Sequence, residues 1–167
     1  NRCMNESMDS KFLQGVRVLD LSEGIAGPFC AKLLADLGAD TVKVERPGTG
    51  DISRTFGPFP DDDADIERSA SFFYLNTSKR SMTLDITAPS ERATLEALVR
   101  RFDVVIGCER LTDAGITYPE IRAWNPGAVF TSVSGFGDDG PYAGFLTSDL
   151  VACAMGGWAQ LCGVPER

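Results

Sequence analysis

The chain has 167 residues, 16 basic and 24 acidic side chains, a net charge of −8 and no histidine. That length supports one substantial core, so one domain or a large part of one is expected, and the negative charge argues against nucleic acid as a partner. The lack of histidine removes Ser-His-Asp and Cys-His catalysis and ordinary zinc hydrolase sites, so no metal is expected.

Residues 1–11 are polar and read as a disordered or appended tail, with the folded part from residue 12 to residue 167. Val16, Val18, Leu19 and Leu21 form a short apolar strand closed by the turn-prone Ser22-Glu23-Gly24. Gly27-Pro28 opens a helix, because proline is tolerated in a first turn where its missing N–H costs nothing. Phe29, Leu33 and Leu37 lie four apart, and Leu34 widens this into the stripe such a helix turns to a core. Gly38 ends the helix where a left-handed residue is wanted. Thr41 to Glu45 is the second strand, and Arg46-Pro47-Gly48 leaves it. This is a βαβ unit.

Pro47 to Ser71 follows as a long irregular stretch. Its acidic cluster, Asp61 to Glu67, lacks calcium-loop spacing and reads as a solvated loop. Ser71 to Asn76 is expected as a short buried helix or turn, and Ser81 to Ile86 as strand three. A helix then starts at Thr87 or Ala88 and carries Leu95, Leu98, Val99 and Phe102 at helical spacing. Asp103 to Gly107 is strand four, Tyr118 to Trp124 a short helix, Ala128 to Val133 strand five, and Ser148 to Leu161 a last helix. The alternation predicts an α/β, Rossmann-like, open and mostly parallel sheet with helices on both faces.

Five widely spaced cysteines, Cys3, Cys30, Cys108, Cys153 and Cys162, contain no C-x-x-C and read as reduced thiols, with Cys30 and Cys153 as small core residues. No apolar run approaches the roughly 18 residues that span a membrane, and no stretch reads as a signal peptide. No membrane association and a cytoplasmic location are therefore expected.

Open parallel sheets bind ligands beyond the carboxyl ends of their strands. Ser22 to Gly27 and Arg46 to Arg54 sit there, the first offering backbone N–H groups and a helix start, the second two arginines. A phosphate-bearing ligand fits this, but Gly24 and Gly27 do not make the dinucleotide fingerprint, which argues against a nicotinamide-dependent dehydrogenase. On local physics alone, turn glycines are the simpler account.

The stretch DLSEGIAGPFCAKLLADLGADTVKVERPGTGD, Asp20 to Asp51, resembles the amino-terminal signature of the family III CoA-transferases. The resemblance continues in Asn76 to Ser81, Leu84-Asp85, Asn125-Pro126, Ser132 to Gly137, Gly140 to Ala143, Ser148 to Val151 and Ala154 to Gly157. It implies that residues 12–167 are the amino-terminal part of a large CoA-binding domain, without the family's small domain and carboxyl-terminal segment. It also implies a homodimer of interlocked whole chains, with acyl-CoA and a carboxylic acid as substrates.

Members of this family move coenzyme A between acids through an aspartyl covalent intermediate. The resemblance places that nucleophile beyond Arg167, so no catalytic residue is assigned and these residues alone are expected to be inactive. Asp149 is read as a cap on the last helix. The resemblance assigns CoA contacts to four positions. Ala26 matches the loop near the pantetheine arm, Arg46 the arginine at the nucleotide end, and Leu84 and Asp85 a segment lining the adenine. Arg46 is alternatively a salt-bridge partner of Glu45 or Asp51, and Lys79 and Arg80 either add positive charge or are surface bases at a strand entrance.

There are departures from the pattern. The family's E-N-F-x-P-G segment with its downstream arginine is replaced by the shorter Gly107 to Thr112, where Arg110 is the available base, and Leu146 stands where a basic residue is common. Two alternatives remain. A non-catalytic CoA-binding or dimerisation module needs no nucleophile. An α-methylacyl-CoA racemase carries a histidine where this chain has Ser148.

Overall fold

A computed structural model describes residues 12–162. Five strands, β1 (Arg17–Asp20), β2 (Asp40–Glu45), β3 (Arg80–Thr83), β4 (Val104–Cys108) and β5 (Val129–Val133), form one parallel sheet. Their order is β3-β2-β1-β4-β5, so the chain winds outward from β1 to one edge and then to the other. The register pairs Val18 with Thr41 on one side and with Val104 on the other. β1 is therefore the central strand, paired in parallel with β2 and β4, and the reversal in strand order falls between β1 and β4.

The seven helices among the described residues are α1 (Ala26–Asp36), α2 (Ala70–Asn76), α3 (Arg92–Val99), α4 (Glu109–Asp113), α5 (Tyr118–Trp124), α6 (Asp149–Met155) and α7 (Trp158–Leu161). Leu95 and Val99 of α3, Leu111 of α4 and Ile121 of α5 pack on Leu19, Val42, Val44 and Val105. On the opposite face, Ala31 of α1 meets Val18 and Ile106, with Cys30 and Leu34 partly buried beside them. Both faces of the central strands are therefore covered, as a parallel sheet requires. Of the helix expected from Thr87 or Ala88, the first turn is a 3-10 turn at Pro89–Glu91. The five-residue helix α4 is too short to leave an apolar period in the sequence.

α1 sits the other way round from its apolar spacing. Its buried residues are Gly27, Pro28, Ala31 and Ala35, while Phe29, Leu33 and Leu37 are 38, 48 and 47% exposed. Small side chains let the helix backbone approach the strands closely, and they leave the bulky residues on the outer side. Phe29 finds a partner there in Tyr74, their rings stacked 6.4 Å apart. Gly38, at φ 104, turns the chain out of α1, and Ala39 N–H closes the turn on the Leu34 carbonyl at 3.0 Å. In α2 only Leu75 is buried, with Phe73 and Tyr74 more than half exposed, so this helix is less buried than expected.

The chain divides into two compact units, the first ending at Val133 and the second beginning at Ser134. In the second unit Phe136, Tyr142 and Phe145 form a ring cluster with centroids 5.3–6.2 Å apart. Ser148 caps α6 through Oγ, which accepts from Val151 N–H at 3.4 Å, so the serine and not Asp149 is the capping residue. The single helix expected to Leu161 is interrupted at Gly156-Gly157, where Gly157 is left-handed at φ 83. The expected tail, residues 1–11, lies outside the described residues.

Candidate functional site

The loops after β1 and β2 meet above the carboxyl ends of those strands, and a buried layer of charge fastens them. Lys43, 1% exposed, points from β2 toward the α1 face, where its Nζ lies 2.6 Å from Asp51 Oδ2 and 3.8 Å from Asp20 Oδ2. The same ammonium donates to the Ser22 carbonyl. Asp51 Oδ1 accepts Gly24 N–H at 3.0 Å and Ser53 N–H at 2.8 Å, so one carboxylate holds both loops. Lys79 Nζ donates to Asp20 Oδ2, Asn76 Oδ1 and the Pro28 carbonyl, each at 2.8 Å. Glu45 accepts from Arg54, Ser81 Oγ and Asp51 N–H.

Three acids, Asp20, Glu45 and Asp51, thus face three bases, Lys43, Arg54 and Lys79, and the layer is neutral. Burial alone would raise the carboxyl values, but Lys43 and backbone donors hold Asp51 below the usual carboxylate range. Arg54, Ser81 and Asp51 N–H do the same for Glu45. Burial lowers Lys79 from its ordinary value against the pull of Asp20.

A second cluster lies at the mouth of the strands. Glu23, in the loop after β1, accepts Arg46 Nε at 2.8 Å on Oε1 and Arg46 Nη2 at 2.7 Å on Oε2. Its Oε1 also accepts Arg110 Nη1 at 2.8 Å. Arg110, on α4, is 7% exposed, and its Nε and Nη2 are buried with no hydrogen-bond partner among the described residues. Both guanidiniums line a cavity of about 410 Å3 together with Pro47, Thr49, Asp85, Thr87 and Asp113. Burial lowers the Arg110 guanidinium from its ordinary value and the Arg46 charge adds to this, while Glu23 opposes both. Arg110 stays protonated regardless. Burial pushes the Cys108 thiol up, so this cysteine is a thiol rather than a nucleophilic thiolate at neutral pH.

The four positions assigned from sequence separate. Arg46 and Asp85 line the same cavity. Arg46 pairs with neither Glu45 nor Asp51, but with Glu23. The Asp85 carboxylate is held down by Thr87, accepting its N–H at 3.0 Å and its Oγ at 2.6 Å. The Leu84 side chain, 6% exposed, is packed in the core with Leu95 and Val99. Ala26 is the exposed first residue of α1 and does not line that cavity. Beside it Ile25, Phe29, Phe56, Ser71, Tyr74 and Leu75 enclose a separate, mostly apolar cavity of about 400 Å3. Lys79 is a buried structural cation, and Arg80 pairs with Asp40 at the opposite end of the sheet.

Glu23, Asp51 and Thr87 were not singled out from sequence as site residues; Asp51 entered only as an alternative partner of Arg46, and Thr87 only as a helix start. A carboxylate within a loop after a strand and an aspartate beside glycine resemble ordinary turn residues, so only their partners across the fold distinguish them. Among the described residues no group of three or more His, Cys, Asp or Glu side chains could hold a metal ion, and no helix is long and apolar enough to cross a membrane.

Comparison with known proteins matches residues 13–167 to the family described as CoA-transferase family III. A succinate–glutarate CoA-transferase of Agrobacterium fabrum is 38% identical over 159 residues, covering 92% of this chain and 40% of that protein. A formyl-CoA:oxalate CoA-transferase of Streptomyces avermitilis is 43% identical over 161 residues, covering 94% and 38%. Among solved structures, a CAIB/BAIF family protein from Brucella suis superposes with a TM-score of 0.79 at 41% identity, covering 93% of this chain and 42% of that one. The chain spans about two fifths of the length of the curated relatives it matches.

Proposed function

Because the chain belongs to CoA-transferase family III, we propose that it supplies the nucleotide-binding part of a coenzyme A site in an enzyme that moves CoA from an acyl-CoA to a carboxylic acid. The observation that carries this is the pair of guanidiniums on one cavity at the carboxyl ends of the strands. Arg46 keeps Nη1 outside its bidentate pair with Glu23, and Arg110 has two donor nitrogens without partners among the described residues. Arginine forks match phosphate oxygens in geometry and charge. The loop from Ser22 to Gly27, fastened by Asp51 and Lys43, brings backbone N–H groups and the start of α1 beside the same strand ends.

In this reading the reaction passes through an aspartate beyond Arg167. Its carboxylate attacks the acyl-CoA carbonyl, breaks the C–S bond and gives a mixed anhydride with CoA thiolate. The thiolate attacks the aspartyl carbonyl, releasing the first acid and leaving an enzyme thioester. The acceptor carboxylate then displaces the thiolate to form a second anhydride. The thiolate finally attacks the acceptor's acyl carbonyl, which yields the new acyl-CoA and the free aspartate. Each step replaces one poor acyl substitution by an easier one, and each tetrahedral oxyanion needs backbone donors. Holding the nucleotide end keeps the thiolate in reach between steps, which is the contribution of this chain. A homodimer and a cytoplasmic location belong to the same proposal.

The test is the full-length protein incubated with acyl-CoA and hydroxylamine, followed by peptide mass analysis. The expected result is one aspartyl hydroxamate. An active transferase without that modification overturns the intermediate, and CoA binding without transfer to any carboxylate identifies a binding module instead.

A further inference from the structure

Two guanidiniums facing one cavity repel each other, and burial makes that repulsion stronger than it is in water. Arg46 and Arg110 nevertheless share one wall, and Glu23 is the carboxylate that contacts both. It uses the Nε/Nη2 edge of Arg46 and the Nη1 nitrogen of Arg110. That leaves Arg46 Nη1 and the Arg110 Nε and Nη2 donors unspent, the latter two without a partner among the described residues. A carboxylate placed to block an anion site would take the free donors of the buried arginine. Glu23 instead takes one nitrogen of Arg110 and leaves two. The arrangement is that of a clip which sets the spacing and facing of two cations.

We propose that Glu23 is a positioning residue for the phosphate groups of the CoA nucleotide, holding Arg46 and Arg110 together so that both address one ligand. This rests on the CoA reading above. The clip joins the loop after β1 to the loop after β2 and to α4, three segments far apart in sequence. Asp85 and Asp113 also line the cavity. Without the clip their charge would compete for the arginines, and the guanidiniums would separate. Glu23 thereby determines whether the cavity presents a paired cationic site or two independent ion pairs.

The test is calorimetric titration of the full-length protein with CoA and, separately, with pantetheine, which lacks the phosphates. Glu23→Gln keeps the shape and removes the charge. It is expected to weaken CoA about tenfold, within the range of coupling between neighbouring charged groups, and to leave pantetheine affinity unchanged. In an Arg110→Met background the same substitution is expected to cost less than about twofold, because the second cation is no longer there to be positioned. Tighter CoA binding by Glu23→Gln would show a competing anion and overturn the proposal. So would an equal loss in both backgrounds or an equal loss for pantetheine, either of which marks a general structural role. Failure of the unaltered protein to bind CoA overturns the nucleotide-site reading and this inference together, whereas a CoA affinity left unchanged by Glu23→Gln overturns the inference alone.

Discussion

The backbone N–H of Gly24 donates to Asp51 Oδ1 at 3.0 Å, so the loop after the first strand is fastened by a side chain from the loop after the second. Twenty-seven residues separate the two in sequence. Asp51 is held in turn by Lys43, whose ammonium also takes the Ser22 carbonyl. The strand ends therefore carry a braced platform, on which Glu23, Arg46 and Arg110 meet.

Asp51→Asn is expected to destabilise the fold by roughly 3 kcal/mol, the scale for removing one partner of a buried ion pair. The amide would keep an acceptor for Gly24 N–H but would set an NH2 donor against the Lys43 ammonium, which would retain Asp20 only at 3.8 Å. Thermal unfolding checks this, and a change within about 0.5 kcal/mol, as for an ordinary surface substitution, would count against the network.

Acid should weaken the same layer. Asp51 and Glu45 both ionise more easily in the folded chain than unfolded carboxylates do. Near pH 4 the unfolded state therefore binds more protons, and stability rises with pH there. Their contribution is fully present above the unfolded value of about 4 and is lost as pH falls through the depressed folded values. Urea unfolding at pH 7, 5 and 3 should show this loss below about pH 4, and Asp51→Asn should flatten the slope in that range.

Gly27→Ala is expected to cost about 1–3 kcal/mol, the range for overpacking a filled site. A Cβ there would stand 2.2 Å from Ser22 Oγ and 2.3 Å from Ser22 Cβ. Ser22 is itself buried and tied to Asp20, so the start of α1 would have to lift away from the strand ends. Unfolding measurements and CoA titration should both register the change, and a neutral substitution would disprove the close approach.

Arg46→Gln should weaken CoA by about ten- to a hundredfold, the scale of hydrogen bonds to charged groups. Pantetheine should be unaffected, since it has no phosphate for the guanidinium to meet. Equal losses for both ligands would remove Arg46 from the nucleotide end.

Much of the fold was legible along the chain because it is local. The apolar runs at Val16–Leu21 and Ala128–Val133, the spacing of Leu95 and Val99 and the turn at Gly38 each act within a few residues, and they recur as β1, β5, α3 and the end of α1. α1 misled for a physical reason. Its bulky residues share a face, but closeness to the sheet selects the small face of Ala31 and Ala35 instead. α4 was not legible because five residues carry no period, and with it went the burial of Arg110.

By itself the sequence determined the alternation of strands and helices, the family resemblance and the presence of Arg46 beside a strand end, since periodicity and motif order are properties of the chain; Asp85, expected within strand three, lies beyond β3. Only the tertiary structure decided which charges meet. Lys43 in the middle of β2 became the anchor of two loops, Leu84 went to the core, and Glu23 gathered Arg46 and Arg110. Electrostatic partners depend on distance through space, and the parallel crossovers bring residues 23, 46 and 110 together although nothing in their sequence spacing requires it.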